Sequence, residues 1–192
     1  MFKTILKDSL IEEMKITSAT KHRTIYLCDD VEEDSIFKLN YFLDRLVRLD
    51  NKDGTKEPIT IIINSFGGSV YSGLSAISRI EKMIEDGYEI ISIIEGVAMS
   101  MGSAISQVCS KRYARRYSTI LYHQVSSGTR GTFAEMEVST EETKRLWELM
   151  KQITIKHTKM TESYLNEIYK TNRDFYMSPE LALSLGVIDE IL

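Results

Sequence analysis

Apolar residues recur along this chain with two periods that take turns. The run at 24–28 (TIYLC) is β-branched and aromatic and predicts a strand. After Asp34 and Ser35, which are candidate helix caps, Ile36, Leu39, Leu43, Leu46 and Val47 fall on one helical face. DNKDGTKEP at 50–58 reads as a surface turn, and the run 59–63 behind Pro58 is apolar or β-branched on both faces, as in a buried parallel strand. Val70, Leu74, Ile77, Ile80 and Ile84 then form a helical stripe that Gly87 ends, and 90–94 supplies the next buried strand. A turn at 95–98, a short helix through Ile105 and Val108, and a strand at 119–122 continue the alternation, which predicts an α/β fold of repeated β-α units.

The stretch 133–160 predicts one long helix with Leu146, Leu149, Met150, Ile153 and His157 on a single stripe. A helix of that length cannot bury its whole stripe on one small sheet, so part of it should project and meet a partner chain. Ser178 as N-cap, Pro179 at the first helical position, Gly186 as C-cap and a strand from Val187 close the pattern.

Composition narrows the function classes. With 192 residues and 43% hydrophobic side chains, a single domain over 1–192 closes one sizeable core. The 24 basic and 28 acidic residues are scattered and leave a net charge of -4, which argues against nucleic acid as a partner. Cys28 and Cys109 lie far apart without a CxxC pattern, so free thiols in a reducing cytosol are expected, with no zinc site and no other metal or cofactor. No apolar run approaches the roughly 20 residues of a membrane helix. Asp8, Glu12 and Glu13 interrupt the place where a signal peptide would be apolar, so a cytoplasmic chain with no membrane partner is expected.

Two turns carry candidate chemistry. NSFGGS at 64–69 and EGVAMSMGS at 95–103 both follow buried strands and both start helices, so side chains and amide N–H groups converge at the carboxyl end of the sheet. Taken singly, Gly67 and Gly68 also suit a plain tight turn, and Ser100 also suits a helix cap. His123 ends the strand predicted beside Ser100, whereas His22 and His157 have no such setting. A neutral imidazole takes up a serine proton near neutral pH, and a carboxylate on its far side fixes the tautomer. Asp174 in NRDFYMSP is one candidate among several for that carboxylate.

Four motifs resemble those of the ClpP family, the proteolytic subunits of the Clp protease. INSFGGSVYSG (63–73) is similar to INSPGGSVxxG, and GVAMSMGS (96–103) to the nucleophile motif GxAASMGA. KRYARRYSTILYHQ (111–124) is similar to KR...MIHQ, and RDFYMSPELALSLGVIDEIL (173–192) to RDxFMSAxEAxxYGLID. The motifs fall in order over the chain from about residue 24 to its end. The resemblance implies a crotonase-like α/β fold with a protruding helical handle at about 125–160. It also implies a serine endopeptidase in which Ser100 is the nucleophile, His123 the base and Asp174 the orienting carboxylate. The amides of Gly68 and Met101 would then form the oxyanion hole. Heptameric rings stacked as a tetradecamer, enclosing a chamber for peptide substrates and fed by a Clp-type ATPase unfoldase, are implied in the same way. Arg173 takes the place of a residue that reaches across the ring interface.

The chain also departs from the family pattern. Phe66 stands where the family has Pro and Met99 where it has Ala, both beside the site. HQVSSG replaces HQPxGG, so Val125, Ser126 and Ser127 alter the strand that would pair with substrate backbone. Thr60 and Ile62 occupy positions where many members carry the tyrosines that dock the ATPase, and the segment before residue 24 lacks the usual SRGERxYDIYSRLLK pattern. Two other readings stay open: a crotonase-type acyl-CoA enzyme, which shares the two-amide hole without a serine nucleophile, and a structural paralogue that keeps the ring but cleaves nothing.

Overall fold

The computed structural model describes residues 2–171 and 174–192. Arg173 lies outside the described residues. The chain opens with α1 (Phe2–His22), β1 (Thr24–Leu27), α2 (Glu33–Asp53), β2 (Ile59–Ser65), α3 (Val70–Glu85), β3 (Ile90–Met99) and α4 (Met101–Gln107). It continues with β4 (Lys111–Ala114), β5 (Thr119–Tyr122), α5 (Phe133–His157), α6 (Glu162–Thr171), β6 (Phe175–Met177), α7 (Pro179–Ser184) and β7 (Glu190–Ile191). The α/β alternation read from the hydrophobic pattern is therefore present.

One sheet runs in the order β1-β2-β3-β4-β7, with every neighbouring pair parallel. The core sits on it: Ile59, Ile61, Ile63, Ile90 and Ile94 are fully buried, as expected of strands covered on both faces. β3 is long enough to serve two neighbours in succession. Its first half pairs with β4 and its second half with β5, and β6 then joins β5 antiparallel.

Several local expectations are corrected. The segment 95–98 is strand and not turn, because Gly96 at φ 99° makes a bulge and the Asn64 side chain accepts the Val97 N–H at 3.1 Å, so pairing resumes at Ser65–Ala98. The cap of α2 is Glu32, which forms a capping box with Ser35, and the helix runs through 50–53 of the expected turn to a left-handed Gly54. Val187 does not start a strand. Val187 and Ile188 donate to the Ala182 carbonyl and fill the core, and β7 begins at Glu190.

The long helix also differs in which part projects. Leu146, Trp147 and Met150 are buried within the chain, with Trp147 packed between Tyr122 and Tyr169. The exposed part is the N-terminal half, where Phe133, Met136 and Val138 face solvent. α1, which no sequence signal announced, packs Ala19 into the core and leaves Leu10, Met14 and Ile16 exposed.

Candidate active site

Three strand ends meet at one place. Met99, the last residue of β3, pairs with Leu121 of β5, and the Ser100 N–H donates to the Leu121 carbonyl at 3.0 Å. Tyr122 of β5 pairs in turn with Phe175 of β6, so the residues just beyond that pair, His123 and Asp174, face each other. Register alone thus brings residues 100, 123 and 174 together, though 74 positions separate the first from the last.

Ser100 is held in an unusual state. Its backbone sits at φ 51° and ψ -120°, and among the described residues only Arg23 shares a positive φ without being glycine. Such conformations cost about 1–3 kcal/mol and persist where the surroundings enforce them. Here the enforcing contacts are the bond to Leu121 and the Ser100 carbonyl, which accepts the Ala104 N–H at 3.1 Å. Three serines precede helices as N-caps. Ser69 and Ser178 accept an N–H from the helix they start, but the Ser100 hydroxyl caps nothing.

The glycine turn packs directly on this residue. A Cβ at Gly67 would lie 2.7 Å from both the Met99 carbonyl and the Ser100 Cβ, and φ is 94° there, so only glycine lets the two turns touch. The buried Ser65 hydroxyl accepts the Gly67 N–H at 3.2 Å, and the Gly67 carbonyl accepts the Val31 N–H at 2.7 Å, which fixes the turn from both sides. Among the described residues the amides of Gly68 and Met101 donate to no protein acceptor, and both residues line the cavity that Ser100 and His123 also line.

That cavity, of about 60 Å³, runs from Ser100 inward to Gln107, Met150 and Thr154. A second, open cleft of about 400 Å³ shares His123 and Ser126 with the first and is also bounded by Ser127, Thr143 and Asp174. Ser127 and Thr143 share a hydrogen bond of 2.8 Å, which ties the segment after His123 to α5. His123 Nδ1 stands 3.6 Å from Asp174 Oδ1, just beyond the reach of a hydrogen bond. Among the described residues no bond joins the Ser100 hydroxyl to the His123 ring. His22 and His157 lie elsewhere, the latter against Glu81 at 3.2 Å. Phe66 and Met99 do not line the cavity, and Phe66 is turned out to solvent.

Sequence reasoning missed Asn64, whose side chain makes the bulge that re-aims β3 at the site, and the residues at the inner end of the cavity. The signal for Asn64 was an amide side chain at a strand end. Gln107 and Thr154 gave no signal, because each is a single polar position on a helix.

Comparison with known proteins shows the family of the chain. The family model for Clp protease matches residues 10–192. The chain belongs to the Clp protease family. Two similar proteins, both named ATP-dependent Clp protease proteolytic subunit, come from Deinococcus radiodurans and from Dehalococcoides mccartyi strain BAV1. The first is 35% identical over 174 residues, covering 90% of this chain and 81% of the relative. The second is 30% identical over 176 residues, covering 90% and 82%. The chain is a ClpP-type serine protease, and the parallel-rich sheet with its helices is consistent with the ClpP fold. No helix among the described residues is long and apolar enough to cross a membrane.

Proposed function

We propose that the chain is one endopeptidase domain in which Ser100 attacks the peptide carbonyl, His123 accepts its proton and Asp174 orients the imidazole. The Gly68 and Met101 amides donate to the oxyanion of the tetrahedral intermediate. His123 then passes the proton to the leaving amine, and water hydrolyses the acyl-enzyme by the same steps in reverse order. The observation that carries this reading is the Ser100 hydroxyl: it is held on a strained backbone, released from capping and set beside two amides without acceptors. A contraction of roughly 0.5 Å brings His123 and Asp174 within hydrogen-bond reach, and rotation of the Ser100 hydroxyl towards the imidazole is the second movement that completes the relay.

The reaction takes place inside a chamber of stacked heptameric rings that an ATP-dependent unfoldase feeds. Support comes from the projecting half of α5, with Phe133, Met136 and Val138 exposed, and from the names of the relatives. Thr60 and Ile62 pair with Thr24 and Tyr26 of β1, and the half-exposed Tyr26 ring keeps an aromatic group on the face where the partner would dock. The test is a fluorophosphonate probe on the purified protein, with the labelled site read by mass and the same sample run on a sizing column. Labelling at Ser100 in a particle many times the 22.0 kDa chain mass is the expected result. A particle that resists the probe supports the silent paralogue instead. Degradation of a stably folded tagged protein is expected only with ATP and a Clp-type unfoldase.

A further inference from the structure

The cavity beside Ser100 ends in polar atoms that the protein does not fully satisfy. Gln107, Tyr122 and Thr154 all line it; Gln107 Oε1 has no hydrogen-bond partner among the described residues, and the Tyr122 and Thr154 hydroxyls have none besides each other. Their residues are only 1%, 6% and 1% exposed. A buried polar group left unpaired costs about 1–3 kcal/mol, so an orphan acceptor beside two hydroxyls that face only each other marks a site that expects a partner.

The donor set defines that partner. The Gln107 amide nitrogen already donates to Ser103 Oγ at 3.1 Å, which leaves its oxygen as an acceptor only. The Tyr122 and Thr154 hydroxyls can each donate or accept, and burial pushes the phenol up, so it stays protonated as a donor. A ligand that offers both N–H and C=O satisfies the three together. No carboxylate or ammonium lines the cavity. Lys151, on the same helix as Met150 and Thr154, is engaged by Glu148 at 2.8 Å and Asn166 at 3.3 Å. A charged side chain would therefore be buried uncompensated. Size narrows the choice further. At roughly 10–15 Å³ for each water-sized group, the cavity of about 60 Å³ takes a side chain of about four to six non-hydrogen atoms. Glutamine has five.

We infer that this cavity receives the side chain on the acyl side of the scissile bond and selects a neutral carboxamide, glutamine before asparagine, over apolar side chains of equal size. The inference rests on the reading of Ser100 as nucleophile. The bound carboxamide N–H₂ donates to Gln107 Oε1, and its oxygen accepts from the Tyr122 hydroxyl, which Thr154 holds in place. Gln107, Tyr122 and Thr154 are thus specificity residues.

The test uses fluorogenic peptides identical except for Gln, Met or Leu at that position, assayed with the assembled protein. The expected kcat/KM favours Gln by about ten-fold or more, the scale set by leaving such groups unpaired. Thr154→Val should collapse the Gln-to-Leu ratio towards one, while Thr154→Ser, which keeps the hydroxyl, should preserve it, a contrast that loss of folding cannot imitate. Leu or Met peptides cleaved as well as Gln, with Ser100 labelled by the probe, would overturn the inference alone and mean that water satisfies the three atoms. No peptide cleaved and no labelling at Ser100 would overturn the catalytic reading and this inference with it.

Discussion

At the scale of single residues, Ser100 separates strain from chemistry. Its hydroxyl makes no cap bond, so Ser100→Ala should change stability by less than about 0.5 kcal/mol while hydrolysis is lost. Ser100→Gly removes the hydroxyl and also the Cβ that resists a positive φ, so it should be more stable than the alanine variant by about 1 kcal/mol. Denaturant melts of the two variants, each equally inactive, check this; equal stability would mean that the turn is not strained. Gly67→Ala is the opposite case. The new methyl would strike the Met99 carbonyl and Ser100 Cβ, so stability and activity should fall together. The thiols behave differently from any of these. Burial pushes the Cys109 sulfhydryl up to about 12 and it will not react with alkylating agents in the folded state, whereas Cys28 is at the surface.

At the scale of elements, Arg23 shows how a short strand is anchored. Its guanidinium donates to both oxygens of the buried Asp50, at 2.7 and 2.8 Å, and to the carbonyls of Glu57 and Pro58, so it clamps the end of α2 to the start of β2. Asp50→Ala leaves a largely buried guanidinium half-paired and should cost about 3 kcal/mol, read as a fall in denaturant midpoint without change in slope. The strands and helices with complete apolar faces were legible: 59–63, 70–84 and 119–122 need no long-range information, and the helix read at 133–160 forms over 133–157. The same holds for the N-cap Ser178, whereas the C-cap of α7 is Leu185 and the left-handed Gly186 lies one residue beyond it. Illegible elements depended on partners distant in the chain. The four residues of β4 carry Lys111 and Arg112 and become a strand only against β3 and β7. Gly96 looks like a turn until Asn64 is beside it. The stripe at 146–150 looked bare because Tyr122 and Tyr169, which cover it, lie 25 and 22 residues from Trp147. For the site, the resemblance of the four motifs was enough to pick Ser100, His123 and Asp174 as candidates, whereas spacing alone did not single out Asp174. Neither was enough to show the inner wall of the cavity, where Thr154 comes from a helix that the motifs do not reach.

At the scale of the whole molecule, pH and thermal behaviour follow from how the pieces are joined. Glu81 of α3 meets Lys156 at 2.6 Å and His157 at 3.2 Å at the end of α5. Burial opposes ionisation of Glu81, yet the bonds from Lys156 and His157 outweigh it and leave its carboxyl below the usual range; burial likewise lowers His157. Both groups bind protons less readily folded than unfolded. Their contribution is complete above the ordinary histidine value of about 6.5 and is lost as pH falls through the lowered values. Melting temperature should therefore drop below about pH 6.5, and Glu81→Gln should flatten the acid part of that curve. A stability profile unchanged between pH 7 and 4.5 would contradict this.

β3 carries Ser100 at the end of ten residues buttressed on both sides, but His123 and Asp174 ride on β5 and β6, of four and three residues, which leave the main path of the sheet. The two halves of the proposed catalytic arrangement thus stand on supports of unequal strength. Amide hydrogens of 120–122 and 175–177 should exchange with deuterium through a partial opening, well before those of 91–98, which wait for global unfolding. On slow heating, peptidase activity should fade several degrees below the calorimetric transition, and return on cooling, because the histidine arm detaches while the body of the sheet is still intact.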